Sequence, residues 1–171
     1  MFDIILKLKT VPRTGWKKNL RMARPESVAD HAYSVATMAM ILSDAKNLDT
    51  GKILKMALLH DLTESVIGDL TPDEITKSKK ILLENTAMKK ILSGLDTKTQ
   101  KQYWAIWMDY QKSTSKEARL LHDIDKLEMA LQADVYRKNG HSAKKLEQFL
   151  NYAKKQVKNP ELKKMLPNFK N

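Results

Sequence analysis

Apolar residues recur at three- and four-residue steps along most of the chain, the period of helices that each bury one face. Val28, Ala32, Val35, Ala36, Ala39 and Leu42 trace the first long stripe. Ile53, Leu54, Ala57 and Leu58 trace a second, and Ile81, Met88, Ile91, Leu92 and Leu95 a third. Tyr103, Trp104, Trp107 and Met108 form a fourth, and Leu120, Leu121, Ile124, Leu127 and Leu131 a fifth. No stretch sustains the apolar–polar alternation of a half-buried strand, so the pattern predicts no sheet. Start signals agree with the stripes. Ser27 stands ahead of the first, with Pro25 just outside it. Thr71-Pro72-Asp73-Glu74 reads as an N-cap Thr with Pro at the first helical position. Thr97-x-x-Gln100 and Thr114-x-x-Glu117 repeat the capping-box pattern, and Asn159-Pro160 opens a last short helix that Pro167 follows. The expectation is an all-α globule of six to eight helices with short connections, not a simple four-helix bundle.

Length and composition narrow the picture. A chain of 171 residues suits one domain, 1–171, with a sizeable core. The absence of cysteine excludes a disulfide scaffold, a thiolate zinc site and a cysteine nucleophile, and accords with the cytoplasm as the expected location. Met1 to Leu8 is too short for a signal-peptide core, and no apolar run approaches the ~18 residues of a membrane span. The net charge of +11 favours anionic partners. Much of it is concentrated in residues 141–171, which hold eight lysines against two glutamates. No ladder of aromatics is interleaved with these lysines, so they read as a solvated face and not as a nucleic-acid platform.

Four polar residues stand out on otherwise apolar helices. His31 lies early in the first stripe, His60 and Asp61 end the second, and Asp125 interrupts the fifth. Singly, each has a plain structural reading as a hydrogen-bonded core residue or a helix-end partner. Together, two imidazoles and two carboxylates from three helices form an N/O ligand set suited to a divalent cation. Neighbours on a regular helix point ~100° apart, so His60 and Asp61 can share an ion only in a crevice near the helix end. Gly68-Asp69-Leu70-Thr71-Pro72 leaves the helical pattern nearby. Glu64 and Asp69 are candidate acid–base groups there, but spacing alone does not separate that role from a solvated Glu and a turn Asp. His122 could orient a ligand, or be an ordinary partly buried histidine. The Tyr103, Trp104 and Trp107 cluster reads as core or interface.

The set His31 … His60-Asp61 … Asp125 resembles the H…HD…D signature of the HD-domain superfamily of metal-dependent phosphohydrolases. Residues 24–31, Arg-Pro-Glu-Ser-Val-Ala-Asp-His, look like the first-histidine segment of its 5′-deoxynucleotidases. Residues 58–72 resemble their central HDxxE motif and its Gly-Asp-Leu-x-Pro extension. Residues 124–133 resemble the last ligand segment, and Val11 to Trp16 the N-terminal pocket segment. Bacterial members place Arg directly before the Trp, where this chain has Gly15.

This resemblance implies a divalent metal held by His31, His60, Asp61 and Asp125 within a core site spanning 27–135, with basic helices in 141–171. The metal would be Co²⁺, Mn²⁺, Zn²⁺, Fe²⁺ or Ni²⁺. Glu64 and Asp69 would be catalytic acids, or hold a second cation. Arg13, Trp16 and Lys126 would meet the substrate: Arg13 or Lys126 at the phosphate, Trp16 stacked on a base or walling off the sugar. The expected activity is release of phosphate from deoxyribonucleoside 5′-monophosphates by a cytoplasmic homodimer. The alternatives are another HD phosphohydrolase, acting on triphosphates, cyclic nucleotides or alarmones, or a basic helical adaptor with a structural metal.

Overall fold

The computed structural model describes residues 2–169, so Met1 and the last two residues of the basic segment, Lys170 and Asn171, lie outside it. Helices α1 (Phe2–Lys7) and α2 (Thr14–Leu20) precede the long α3 (Val28–Ala45) and α4 (Thr50–Leu59). They are followed by α5 (Glu64–Ile67), α6 (Lys77–Leu92), α7 (Thr97–Lys112), α8 (Lys116–Lys138), α9 (Ala143–Gln156) and α10 (Pro160–Lys164). The fold is all-α, as the periodicity indicates. Six of these helices have ten or more residues, and the other four are turns of four to seven residues. Among the described residues the strand-like pairing is a single antiparallel bridge, Pro12 with Ser27.

The helix starts follow local chemistry, with shifts from the sequence expectation. Ser27 caps α3 as read, its side chain accepting from Asp30 N while the Asp30 carboxylate accepts from Ser27 N. Asn159 caps α10 ahead of Pro160. The other two boxes slip by one residue in opposite directions. α7 is capped by Asp96, whose carboxylate accepts from Thr99 N, and Gln100 instead bonds Leu95 O at 2.7 Å. α8 is capped by Ser115 and not by Thr114, whose hydroxyl donates to Asp109. Thr71 does not begin a helix. Thr71 N and Oγ1 both donate to Glu74 Oε2, at 2.8 Å each, but the turn stops there, and α6 begins at Lys77 after an extended Thr76. The motif is therefore used to shape a loop.

α3, α4 and α8 pack against one another and make the main core. Val28, Val35, Ala39, Ile53, Met56, Leu121, Ile124 and Leu127 are buried in one cluster with Trp107 of α7. The Trp107 indole donates to Asn85 Oδ1 of α6 at 2.8 Å, so this aromatic belongs to the core. Two stripe positions instead face solvent. Leu58 and Leu131 are exposed, because α4 turns Met56 and Leu59 inward and the opposite face of α8 meets α9 through Ala130 and Ala133. α9 docks there by Leu146, Leu150 and Ala153, and its lysines face outward. A buried carboxylate, Asp123, accepts from Lys158 N and Asn159 N at 2.8 Å each and fixes the start of α10.

The α9 seam is expected to carry much of the stability. Leu146→Ala, which empties a fully buried position, should cost ~2–5 kcal/mol in urea unfolding, whereas Ile41→Ala on the exposed face of α3 should stay within ~0.5 kcal/mol. Equal effects would mean that α9 does not pack as described.

Candidate metal centre

Three segments deliver the polar cluster. Ser27 starts α3, so His31 falls one turn in and faces α8, fully buried. His60 and Asp61 lie just past the end of α4, where Leu62 N bonds Leu59 O and Glu64 N bonds Asp61 O. These tighter i to i+3 bonds replace the regular winding. That is the departure from α-geometry which lets adjacent residues serve one point. Asp125 sits on the inner face of α8.

Their atoms converge. His60 Nε2 lies 3.2 Å and His31 Nε2 3.6 Å from Asp61 Oδ2, and His31 Nε2 is 3.4 Å from Asp125 Oδ1. Neither imidazole Nε2 has a hydrogen-bond partner, although both are buried. Each ring is instead held from behind. His60 Nδ1 is 2.6 Å from Ala57 O, which can only accept, so Nδ1 donates there and Nε2 is the nitrogen turned to the carboxylates. His31 Nδ1 is held 2.7 Å from the buried Glu128 Oε2. This is how metal-binding imidazoles are oriented. His31, His60 and Asp125 offer ligand atoms within 4.8 Å of one another, as do Glu26, His31 and Glu128. Buried imidazole nitrogens without a hydrogen-bond partner, set against a cluster of carboxylates, are costly without a cation, so the residues present fit a divalent ion.

The surrounding charges reinforce this. Burial disfavours ionised carboxylates, yet His60 and Arg13 hold Asp61 well below the usual range. Lys126 and His31 do the same for Asp125, whose Oδ2 accepts from Lys126 Nζ at 2.7 Å. Burial and the Arg13 charge oppose a charged His31, but the Asp125 and Glu128 carboxylates beside it outweigh them and raise its pKa to about 10. Glu64 behaves oppositely. Burial first, then the Asp61 and Asp69 carboxylates, push its pKa well up, and its Oε2 has no partner. Glu64 therefore tends to keep a proton.

The centre lies in a cleft of about 940 Å³ lined by His60, Asp61, Glu64, Asp69, Asp125 and further residues. Arg13 reaches it because the strap Pro12–Ser27, with Arg13 N bonded to Glu26 O at 3.0 Å, lays this segment over α3. Its Nη1 is 3.4 Å from Asp61 Oδ2. Gly68, at a φ of 79° that disfavours other residues, turns the chain so that Asp69 Oδ2 accepts from Thr14 N at 2.7 Å. Asp69 thus anchors α2, and it does not join Glu64 in a ligand group among the described residues. Trp16 lines the cleft as part of its packed wall. Its ring is 2% exposed, wedged against Tyr136 and Phe149, and its indole donates to Glu26 Oε1 at 2.7 Å. A ring so enclosed is a wall and offers no face for stacking. His122 stacks on Tyr110 at 4.2 Å and points Nε2 at Tyr110 O, so it supports the cleft without touching the cluster.

Sequence reasoning missed Glu128, Lys80, Phe149 and Tyr152. Glu128 was findable: an acid three residues after Asp125 on an apolar stripe faces the same way. Lys80, 3.8 Å from Glu64 Oε1, and the α9 aromatics are brought in by packing that no local pattern announces.

With the geometry in hand, comparison with known proteins is specific. The HD domain family profile matches residues 5–165. The 5′-deoxynucleotidase HDDC2 of Dictyostelium discoideum is 41% identical, over 96% of this chain and 92% of its own. That of Homo sapiens is 36% identical, over 93% and 78%. Among solved structures, the PH0347 protein of Pyrococcus horikoshii OT3 superposes with a TM-score of 0.78 at 34% identity, covering 96% of this chain and 93% of its own.

A cation entering the centre must displace the His31 proton. Affinity should therefore rise with pH below about 10, with uptake of the ion releasing protons. Calorimetry of metal binding to stripped protein, in buffers of different ionisation heat, measures this directly. Binding with no proton release would contradict the arrangement.

Proposed function

The chain belongs to the HD domain family, and from that premise we propose that it is a metal-dependent 5′-deoxynucleotidase. It releases phosphate from deoxyribonucleoside 5′-monophosphates. The observation that carries the reading is the pair of buried, partnerless imidazole Nε2 atoms facing Asp61 and Asp125 at the cleft floor. The relatives named 5′-deoxynucleotidase supply the substrate class.

His31, His60, Asp61 and Asp125 would hold the ion, and the donor set suits Co²⁺, Mn²⁺, Zn²⁺, Fe²⁺ or Ni²⁺. When bound, such an ion polarises a phosphoryl oxygen and makes water a better nucleophile at neutral pH. The protein's own groups do the rest. Arg13 has five N–H donors and makes one contact with Asp61, leaving donors for the phosphate. Lys126, tethered to Asp125, presents a second positive charge beside it. Glu64 holds a proton for the leaving group: as a water oxygen bonds to phosphorus and the bond to the 5′-oxygen breaks, that proton passes to the departing oxygen, while the water's protons go with the phosphate and one of them returns to Glu64. Such help is typically worth ~10²–10⁴-fold. Asp69 acts by position, since it pins the residue after Arg13. Trp16 closes the wall beside Gly15 and would limit room at the sugar, the physical basis for excluding a 2′-hydroxyl.

The proposal takes 1–171 as one domain. Among the described residues no helix is long and apolar enough to cross a membrane, and a cytoplasmic location is part of the same proposal. So is a homodimer: Phe2, Leu6, Val66 and Leu82 are exposed apolar side chains on elements packed in succession, a surface that a second copy would cover.

Metal-restored protein should release phosphate from deoxyribonucleoside 5′-monophosphates faster than from the ribonucleotides, and His60→Ala should abolish release. Glu64→Gln should lower kcat by ~10²-fold or more while metal content stays unchanged. Unchanged kcat would remove Glu64 from proton transfer. Turnover in EDTA-stripped protein would remove the metal from the reaction.

A further inference from the structure

The wall of the cleft built by α9 is unaccounted for by phosphate or sugar chemistry. Phe149 is tilted on Trp16 with centroids 4.1 Å apart, and a Cβ at Gly15 would lie 3.3 Å from Phe149 Cε1. A side chain at position 15 would need the Phe149 ring to give by a few tenths of an ångström, so α2 and α9 meet closely here. Gln148 Nε2 also donates to Asn19 Oδ1 at 3.1 Å across the same seam. One step further along this face, at i+3, stands Tyr152. It lines the cleft yet is 47% exposed, and among the described lining residues it is the aromatic one with an open ring. Trp16 is enclosed, and Tyr110 and Phe149 are only partly accessible.

Its position relative to the metal centre is informative. Lys126 Nζ is 2.7 Å from Asp125 Oδ2 and 5.9 Å from the Tyr152 ring centroid. The open ring therefore lies two contacts away from a proposed metal ligand, outward from the proposed phosphate site. A 5′-nucleotide has the same layout, with the base one sugar away from its phosphate. The lining from α6 is Lys77, Lys80, Ile81 and Glu84, three charged groups and one aliphatic, with no aromatic ring.

We propose that Tyr152 forms a nucleobase subsite, where the base of the substrate stacks while its phosphate sits at the metal centre. The inference rests on the nucleotidase reading and adds to it the determinant of base binding. Stacking uses the π-face that every base has, so the subsite accepts all bases and favours the larger purines.

The test compares dAMP with 2-deoxyribose 5-phosphate, which keeps the sugar and phosphate and lacks the base. Tyr152→Ala should raise KM for dAMP about five- to tenfold, leave kcat unchanged and leave KM for the sugar phosphate unchanged. The rise for dCMP should be smaller, and Tyr152→Phe should retain wild-type KM because the ring and not the hydroxyl is used. An equal rise for dAMP and the sugar phosphate would place Tyr152 at the phosphate through Lys126 and overturn the subsite. No change for either would also overturn it. Calorimetric binding of dAMP and the sugar phosphate separates this from the activity. Protein that turns over neither, yet binds dAMP more tightly in a Tyr152-dependent way, keeps the subsite and loses the nucleotidase reading. Turnover with equal binding of the two ligands does the reverse.

Discussion

The structure is organised around a problem of buried charge. Asp61, Asp125 and Glu128 lie against two imidazoles at the meeting of α3, α4 and α8, with Glu26 and Glu64 close behind. Carboxylates packed so closely repel one another and are costly to desolvate. Protons, cationic side chains and a metal ion are what make the arrangement tolerable. His31 takes a proton, Arg13 and Lys126 lean in from either side, and Glu64 gives up its charge instead. The same residues that relieve the repulsion are those proposed to bind phosphate and donate a proton. The proposed chemistry would thus follow from how the charge is balanced.

The rest of the fold serves to hold that balance in one geometry. Glu128 and Ala57 O fix the two imidazole rings from behind. The Pro12–Ser27 bridge and the Asp69–Thr14 bond fix Arg13 from two directions. Lys18 adds bonds to Thr71 and Asp73, at 3.0 and 3.1 Å, which join α2 to the loop after Gly68 at the mouth of the cleft. These last contacts are exposed and individually weak. Their value is that α2, a helix of only seven residues, is otherwise anchored chiefly by Trp16.

Much of this was legible locally because it depends on near neighbours. The α3 stripe and its Ser27 cap appear as read, since capping needs only residues three apart. Where two cap candidates compete, the reading slips: Asp96 beside Thr97 and Ser115 beside Thr114 win because the helix register is set by burying Trp107 and Leu121. Thr71 shows the same limit. Its box forms, but Pro72 to Thr76 are committed to closing the loop over the cleft, so no helix propagates from it.

The sequence by itself determined the all-α class, the four metal-ligand candidates and the acids beside them. Helical period and rare polar residues on apolar stripes are properties of short segments, and the spacing of His60, Asp61 and Glu64 is written in one turn of chain. Only the tertiary structure decided that Trp16 is a closed wall, that Glu128 orients His31 from 97 residues away, and that α9 supplies the aromatic side of the cleft. Those outcomes depend on which helix faces meet. That is settled by the burial of Leu146, Leu150 and Ala153 against α8, a choice made by the whole core at once and by no segment alone.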